Sequence, residues 1–450
     1  MLKPVAGMKK PTPPKSKAKP APAPQPVAEK PAAAVVPEKA GPIVSPLAPK
    51  SLAKLPPLSG VRLAAGEAGI KYQNRTDVLL AVMAPGTQVG GVFTTSKTSS
   101  APVEWCKSAL SQKSARMLVV NSGNANAFTG KAGTEVVRQT AESAAALAGC
   151  RPQEVFIAST GVIGEPLPVQ RITKVLPEIY ENTGAGAWND AARAIMTTDT
   201  FPKMATASAQ IDGARVTING IAKGSGMIAP DMATMLSFVF TDAKIPSDVL
   251  QQLVAQGVQD SFNATTVDSD TSTSDTLLLF ATGKGALHDP VLRSNDKRLD
   301  DFRIKLFALM KDLAVQVVRD GEGAQHLVRI NVNGAESQAA AKKIALTIAN
   351  SPLVKTAIAG GDANWGRIVM AVGKSGEAAN RDKLSIRIGN HKVATNGLRD
   401  PAYSEAFLAK YMQRQEIDID VDVGVGKFSS GVWTCDLTHG YIAINGDYRS

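Results

Sequence analysis

The chain has 450 residues, of which 44% are apolar and 20% charged, and a net charge of +10. That length and composition suit a soluble globular protein of two or three domains, and no apolar run approaches the roughly 20 residues needed to cross a bilayer. Residues 1–50 hold nine Lys and two Glu and contribute +7 of the charge. The other 400 residues carry +3, which argues against a basic nucleic-acid-binding body.

Residues 1–50 are rich in Pro, Ala and Lys and show no apolar periodicity, so they are expected to form a disordered extension. This stretch lacks the apolar core of a secretion signal. It contains no Arg, and its prolines would break an amphipathic transit helix. The expected location is the cytoplasm, with the extension a solubilising or tethering tail. Cys106, Cys150 and Cys435 are isolated and fit a reducing compartment, as small buried residues rather than a disulfide or zinc framework.

Folded structure is expected from Leu52 onward. Short apolar runs predict strands at Val78–Met83, Met117–Asn121 and Val155–Ser159. Residues 137, 141, 144, 145 and 147 predict a helix over Gly133–Gly149, ended by its last glycine. Strands Arg215–Ala222 and Leu236–Phe240 flank the stretch Lys223–Leu236, which holds Gly224, Gly226 and Pro230. A helix is expected over Val249–Phe262 with Ser247 as its cap, then a strand at Thr276–Ala281 and a helix whose face is marked by Phe302, Leu306, Met310, Leu313 and Val317. Leu327–Val332, Leu384–Ile388, Ile417–Val423 and Tyr441–Asn445 read as strands. Strands and helices mix with no regular repeat, so the class is α/β (α+β), with mixed sheets layered with helices.

Several patterns carry possible chemistry. Gly224–Ala229 fits a G-x-G-x-x-A dinucleotide motif, but Pro230 stands where the helix should grow and Asp231 would oppose a phosphate. Asp268, Asp270 and Asp275 begin like a calcium loop but lack its turn glycine and closing Glu, which favours a polar loop shaping a site. Asp418, Asp420 and Asp422 share one strand face, most simply a solvated one. The four His are scattered without metal or triad spacing. Thr234, at the end of the Gly/Pro loop, is either an ordinary β-branched strand residue or a nucleophile. A threonine hydroxyl needs a base. Cleavage of the Ala233–Thr234 bond would supply one, since a free α-amine has a reference pKa of about 7.7–8.0.

Lys223–Leu236 resembles the self-cleavage segment of the ornithine acetyltransferase family, the glutamate N-acetyltransferases of arginine biosynthesis. So do Asn121-Ser-Gly-Asn-Ala-Asn-Ala127, Ser159-Thr-Gly-Val-Ile-Gly164, Thr197-Thr-Asp-Thr-Phe-Pro-Lys203, Asp320-Gly-Glu-Gly-Ala324, Asn364-Trp-Gly-Arg367 and Asn445-Gly-Asp-Tyr-Arg-Ser450. The stretches span 51–450 in the family's order. The resemblance implies an N-terminal-nucleophile-like fold cut into an α chain, 51–233, and a β chain, 234–450. Thr234 would take acetyl from N2-acetyl-L-ornithine and pass it to L-glutamate by a ping-pong route. Thr160 and Gly161 would form the oxyanion hole. Thr197, Lys223, Thr234, Glu322, Asn445 and Ser450 would bind substrate, with Thr198 an alternative to Thr197.

The resemblance also implies no metal or organic cofactor, acetyl-CoA as a possible second donor, and an α2β2 assembly without nucleic-acid or membrane partners. Asn121–Asn126 and Asp362–Trp365 are expected near the site, although Trp365 also suits a core. The chain departs from the family pattern in its basic extension, at Asp231, where the family also has Asn, and at Phe128, where a smaller residue is usual. A related aminopeptidase or amidase and a catalytically silent scaffold are the competing readings.

Overall fold

Two β-sheets packed face to face, each backed by helices, make the centre of the protein, as a computed structural model describing residues 44–229 and 235–446 shows. The first sheet has four strands in the spatial order Val61–Gly66, Val78–Met83, Met117–Asn124 and Val155–Val162, and its last pair is parallel. The second has five, in the order Gln88–Phe93, Thr276–Ala281, Leu236–Thr241, Ala214–Lys223 and Lys203–Ile211. One internal pair of these is parallel and the rest antiparallel. Both sheets are therefore mixed, as expected from the sequence.

Side-chain alternation explains the layering. Along Leu236–Thr241, Leu236, Phe238 and Phe240 face the first sheet, where they meet Leu79, Leu118 and Phe156. Val239 faces the other way, toward Leu253, Leu306 and Leu313 of helices Ser247–Gly257 and Asp300–Arg319. The outer face of the first sheet packs Leu80, Val119 and Ile157 against Val137, Ala141, Ile172 and Leu176 of helices Gly130–Ala148 and Val169–Glu181. The result is a helix–sheet–sheet–helix stack. The rings of Phe156 and Phe280 meet edge to face across the sheet interface, 5.9 Å apart. Each fully buried phenyl there contributes about 1.5–3 kcal/mol of apolar burial.

A third, six-stranded sheet, running from Leu398–Arg399 at one edge to Phe428–Cys435 at the other, carries its own core with helices Gln338–Ala349, Pro352–Ala359 and Trp365–Lys374. Its Glu416–Asp422 strand alternates as expected: Ile417, Ile419 and Val421 are buried, while Asp418 and Asp422 are exposed. Helix Gly130–Ala148 ends on Gly149 in the left-handed conformation at φ 59°, as the sequence suggests, although it begins three residues before Gly133.

The structure corrects four readings. Residues 44–50 belong to the folded body: Leu47 is buried, Ser45 N–H donates to Thr200 Oγ1 at 2.9 Å, and Gln415 Nε2 donates to Pro46 O at 2.9 Å. The rest of the expected extension, residues 1–43, lies outside the described residues. The expected strand Tyr441–Asn445 lies within a helix, His439–Gly446. A five-residue apolar run carries no period long enough to separate the two, and two of its residues, Ile442 and Ile444, are exposed. The helix expected to reach Phe262 ends at Gly257 and continues as two short 3-10 turns. Ser247 does not cap it but is its first residue, donating its hydroxyl to Val89 O at 2.5 Å.

Candidate active site

A cavity of about 270 Å³ is walled by the ends of strands Val155–Val162 and Ala214–Lys223, the loop after helix Asp300–Arg319, and helix His439–Gly446. It gathers six of the residues expected from the sequence: Thr160, Gly161, Thr197, Lys223, Glu322 and Asn445. Thr198 lines it beside Thr197. Ala233, Thr234 and Ser450 lie outside the described residues. The flanks of the central stretch are fixed in the second sheet, where Lys223 pairs directly with Leu236. Beside it, Met235 N–H donates to Asp275 Oδ1 at 2.7 Å.

Thr160 and Gly161 sit where the parallel pairing with Met117–Asn124 becomes irregular. Gly161 has φ +133°, and a Cβ there would lie 2.3 Å from the carbonyl carbon of Gly123. Only glycine lets the two strands approach so closely beside the Thr160 hydroxyl. Thr160 Oγ1 accepts a hydrogen bond from Lys223 Nζ at 3.2 Å. A hydroxyl has one proton and two lone pairs, so Thr160 keeps its proton to donate elsewhere.

Lys223 is buried, and burial pushes its ammonium below the usual lysine range against the opposing pull of Asp199, 4.0 Å away. Asp199 is also buried. Burial alone would raise its pKa, but the ammonium groups of Lys203 and Lys223 hold it well below the ordinary carboxylate range. Lys203 Nζ lies 2.7 Å from Asp199 and 2.6 Å from Asp320.

Glu322 forms the opposite electrostatic wall. Burial raises its carboxyl above the ordinary value, and Asn445 Nδ2 donates to Oε2 at 2.7 Å. Gly226 makes room for it: a Cβ there would stand 2.4 Å from Glu322 Oε2. Gly226→Ala is accordingly expected to displace this carboxylate and raise the KM of a cationic substrate on the order of tenfold, about 1.4 kcal/mol, with a smaller change in kcat. Steady-state kinetics with a cationic and an uncharged substrate checks this, because only the former should suffer.

The Asp-rich segment behaves as a shaping loop. Asp268 accepts from Met227 N–H at 2.6 Å, Ile228 N–H at 2.8 Å and Tyr441 O–H at 3.1 Å, tying the central stretch to helix His439–Gly446. Asp275 is fully buried, and burial holds its carboxyl well above the ordinary range.

Ala125, in the Asn-rich stretch, reaches the cavity as expected. Phe128 is 86% exposed and is not among the residues lining the cavity. Asp362–Trp365, expected near the site, are not among the residues that line the cavity, and the alternative of a core role for Trp365 holds. Asn364 caps helix Trp365–Lys374, and Trp365 packs against the core of the third sheet. Sequence reasoning missed Asp199, Ser225 and Tyr441. Asp199 stands inside one of the quoted motifs, but nothing in its neighbours shows that it reaches Lys223. Ser225 Oγ lies 2.7 Å from Thr198 Oγ1.

A family model described as the ArgJ family matches residues 62–450. The chain is 60% identical over 409 residues to arginine biosynthesis bifunctional protein ArgJ of Agrobacterium fabrum, a match spanning 90% of this chain and 99% of that protein. The crystal structure of arginine biosynthesis bifunctional protein ArgJ from Bacillus halodurans is 38% identical, covering 47% of this chain and 99% of its own at a TM-score of 0.45. That of ornithine acetyltransferase from Mycobacterium tuberculosis, complexed with ornithine, is 34% identical, covering 39% of this chain and 92% of its own at a TM-score of 0.35.

Proposed function

The chain belongs to the ArgJ family, and on that footing we propose that it is an acetyltransferase of arginine biosynthesis moving the acetyl group of N2-acetyl-L-ornithine to L-glutamate. The observation that carries this reading is the pairing of charges in one small cavity, with buried Lys223 and the Thr160 hydroxyl on one wall and buried Glu322 on another. An α-amino acid with a cationic side chain offers a carboxylate to the lysine and an ammonium to the glutamate.

The proposed chemistry begins with cleavage of the Ala233–Thr234 bond, which gives Thr234 a free α-amine. The Thr234 hydroxyl attacks the acetyl carbonyl carbon while the α-amine takes its proton. The resulting oxyanion is held by Thr160 O–H and Gly161 N–H, preorganised donors of the kind that stabilise tetrahedral intermediates. On collapse the acetyl C–N bond breaks, the proton passes to the departing nitrogen, and ornithine leaves. The ester left on Thr234 is attacked by the α-amine of glutamate, giving N-acetylglutamate and restoring the hydroxyl. The same ester could form from acetyl-CoA, which makes the protein a candidate for both activities. No step calls on a metal or an organic cofactor. Thr197 or Thr198, Asn445 and Ser450 complete the substrate contacts in this scheme. The mature protein is proposed to be cytoplasmic and to pair its α and β chains as α2β2.

The test is product analysis with acetylornithine and labelled glutamate. Equal amounts of ornithine and labelled N-acetylglutamate are expected, and acetyl-CoA in place of acetylornithine tests the second donor. Acetate released from acetylornithine irrespective of glutamate would replace this reading with an amidase or aminopeptidase.

A further inference from the structure

Two buried charges close to Lys223, Asp199 and Lys203, are left unused by the transfer scheme. Asp199 and Lys203 are buried, as is Lys223. Asp199 Oδ1 accepts from Lys203 Nζ at 2.7 Å and from Gly224 N–H at 2.6 Å, Oδ2 accepts from Thr197 N–H at 2.9 Å, and Lys223 Nζ lies 4.0 Å from Oδ2. Lys223 then donates to Thr160 Oγ1. We infer that Asp199 is a positioning residue that keeps Lys223 an ammonium ion and so fixes the direction in which the Thr160 hydroxyl presents its proton. This deepens the reading of Thr160 as an oxyanion donor and rests on it.

The direction follows from what each group can donate. An ammonium has three donors and no acceptor. While Lys223 is charged, Thr160 Oγ1 can only accept in their contact, and its single proton is left for another partner. Among the described residues Thr160 Oγ1 has no other hydrogen-bond partner, and its residue lines the cavity. A neutral amine has a lone pair. It could accept the Thr160 proton, reverse the bond and remove the donor from the cavity.

Lys223 is poised for that change. Burial and the charge of Lys203 favour its neutral form, whereas Asp199, Glu322 and Asp275 favour the ammonium. Lys203 is in turn shared between Asp199 and Asp320. Asp199, the carboxylate paired with Lys223 at 4.0 Å, therefore sets the balance.

The test combines pH–rate profiles of acetyl transfer with nuclear magnetic resonance titration of ε-13C-labelled lysines in the full chain, the Lys223 signal being assigned by its loss in Lys223→Met. Asp199→Asn is expected to move the alkaline limb of kcat and the Lys223 titration down together, by about one pH unit or more. Lys203→Met, which removes a competing cation, is expected to move both up. Opposite shifts from neighbouring substitutions are not what general loosening produces, and if Asp199→Asn does not fold, Lys203→Met decides alone. A Lys223 titration unmoved in the folded variants overturns the inference, as does a shifted titration that the rate does not follow. The resonance arm needs no acetyl transfer. A wild-type protein without transfer activity would thus overturn the functional reading while the Asp199–Lys223 link is still judged by that arm.

Discussion

Thr234→Ala is expected to leave one uncut chain and to lower acetyl transfer by on the order of 10⁴ or more, since the change removes the nucleophile itself. Denaturing electrophoresis reads the first outcome, with wild type giving two bands and Thr234 as the sequenced N-terminus of one. Thr234→Ser keeps a hydroxyl on the same backbone and is expected to cut, more slowly or to a lesser extent. The expectation draws on the fixed flanks of the segment. Lys223 and Leu236 are cross-strand partners, and the Met235 N–H is bonded to buried Asp275. Continued cleavage between the same two residues in Thr234→Ala would remove Thr234 from the mechanism.

Thr160→Val, close in shape but without a hydroxyl, is expected to lower kcat by about 10²–10³, equivalent to some 2.7–4 kcal/mol of transition-state stabilisation. KM should change little, because the lost bond forms only as negative charge develops. Thr160→Ser is the control and should recover most of the rate. Gly161→Ala is expected to be worse than either substitution. Its Cβ would lie 2.3 Å from one backbone atom of the adjacent strand and 2.5 Å from another, at a φ that side chains rarely adopt. Both the donor geometry and the strand pairing would move, so lost activity should be accompanied by a lower Tm. A Thr160→Val enzyme within a few-fold of wild type would place the oxyanion elsewhere.

The elements most legible in the sequence are those buried on both faces. Val78–Met83 and Thr276–Ala281 have every residue buried and appear as continuous apolar runs with the bounds expected. Strand Lys203–Ile211 is not legible, because the face it turns to the helices is built from Ala205, Ala207, Ala209 and Ile211 with Thr206, Ser208 and Gln210 between them, and small residues give a weak pattern. Helix Gln338–Ala349 was hidden in the same way by its alanines.

At the site, the residues facing the cavity could be read only through the family resemblance of the stretches that hold them: Thr160 beside Gly161, Lys223 at a strand end, Glu322 in a Gly-flanked loop. Their supports could not. Asp199 pairs with Lys203 four residues away, yet its contact with Lys223 exists only because strands Lys203–Ile211 and Ala214–Lys223 lie side by side. Tyr441 and Asn445 reach the cavity from a helix that the sequence suggested as a strand, and a spacing of four residues shares a face in both.

The order of strands in the second sheet bears on how the mature protein can be made. A cut between residues 233 and 234 would assign Gln88–Phe93, Ala214–Lys223 and Lys203–Ile211 to one fragment and Leu236–Thr241 and Thr276–Ala281 to the other. The latter two lie side by side between strands of the first fragment. Neither fragment could leave without opening a seam on each side of that pair. The uncut chain finds this interleaved arrangement as a single molecule, at a rate independent of concentration. The cut one, once unfolded, would have to find it as two bodies by mass action. Maturation would thus act as a ratchet: folding must precede it, and afterwards the native state persists chiefly because leaving it is slow.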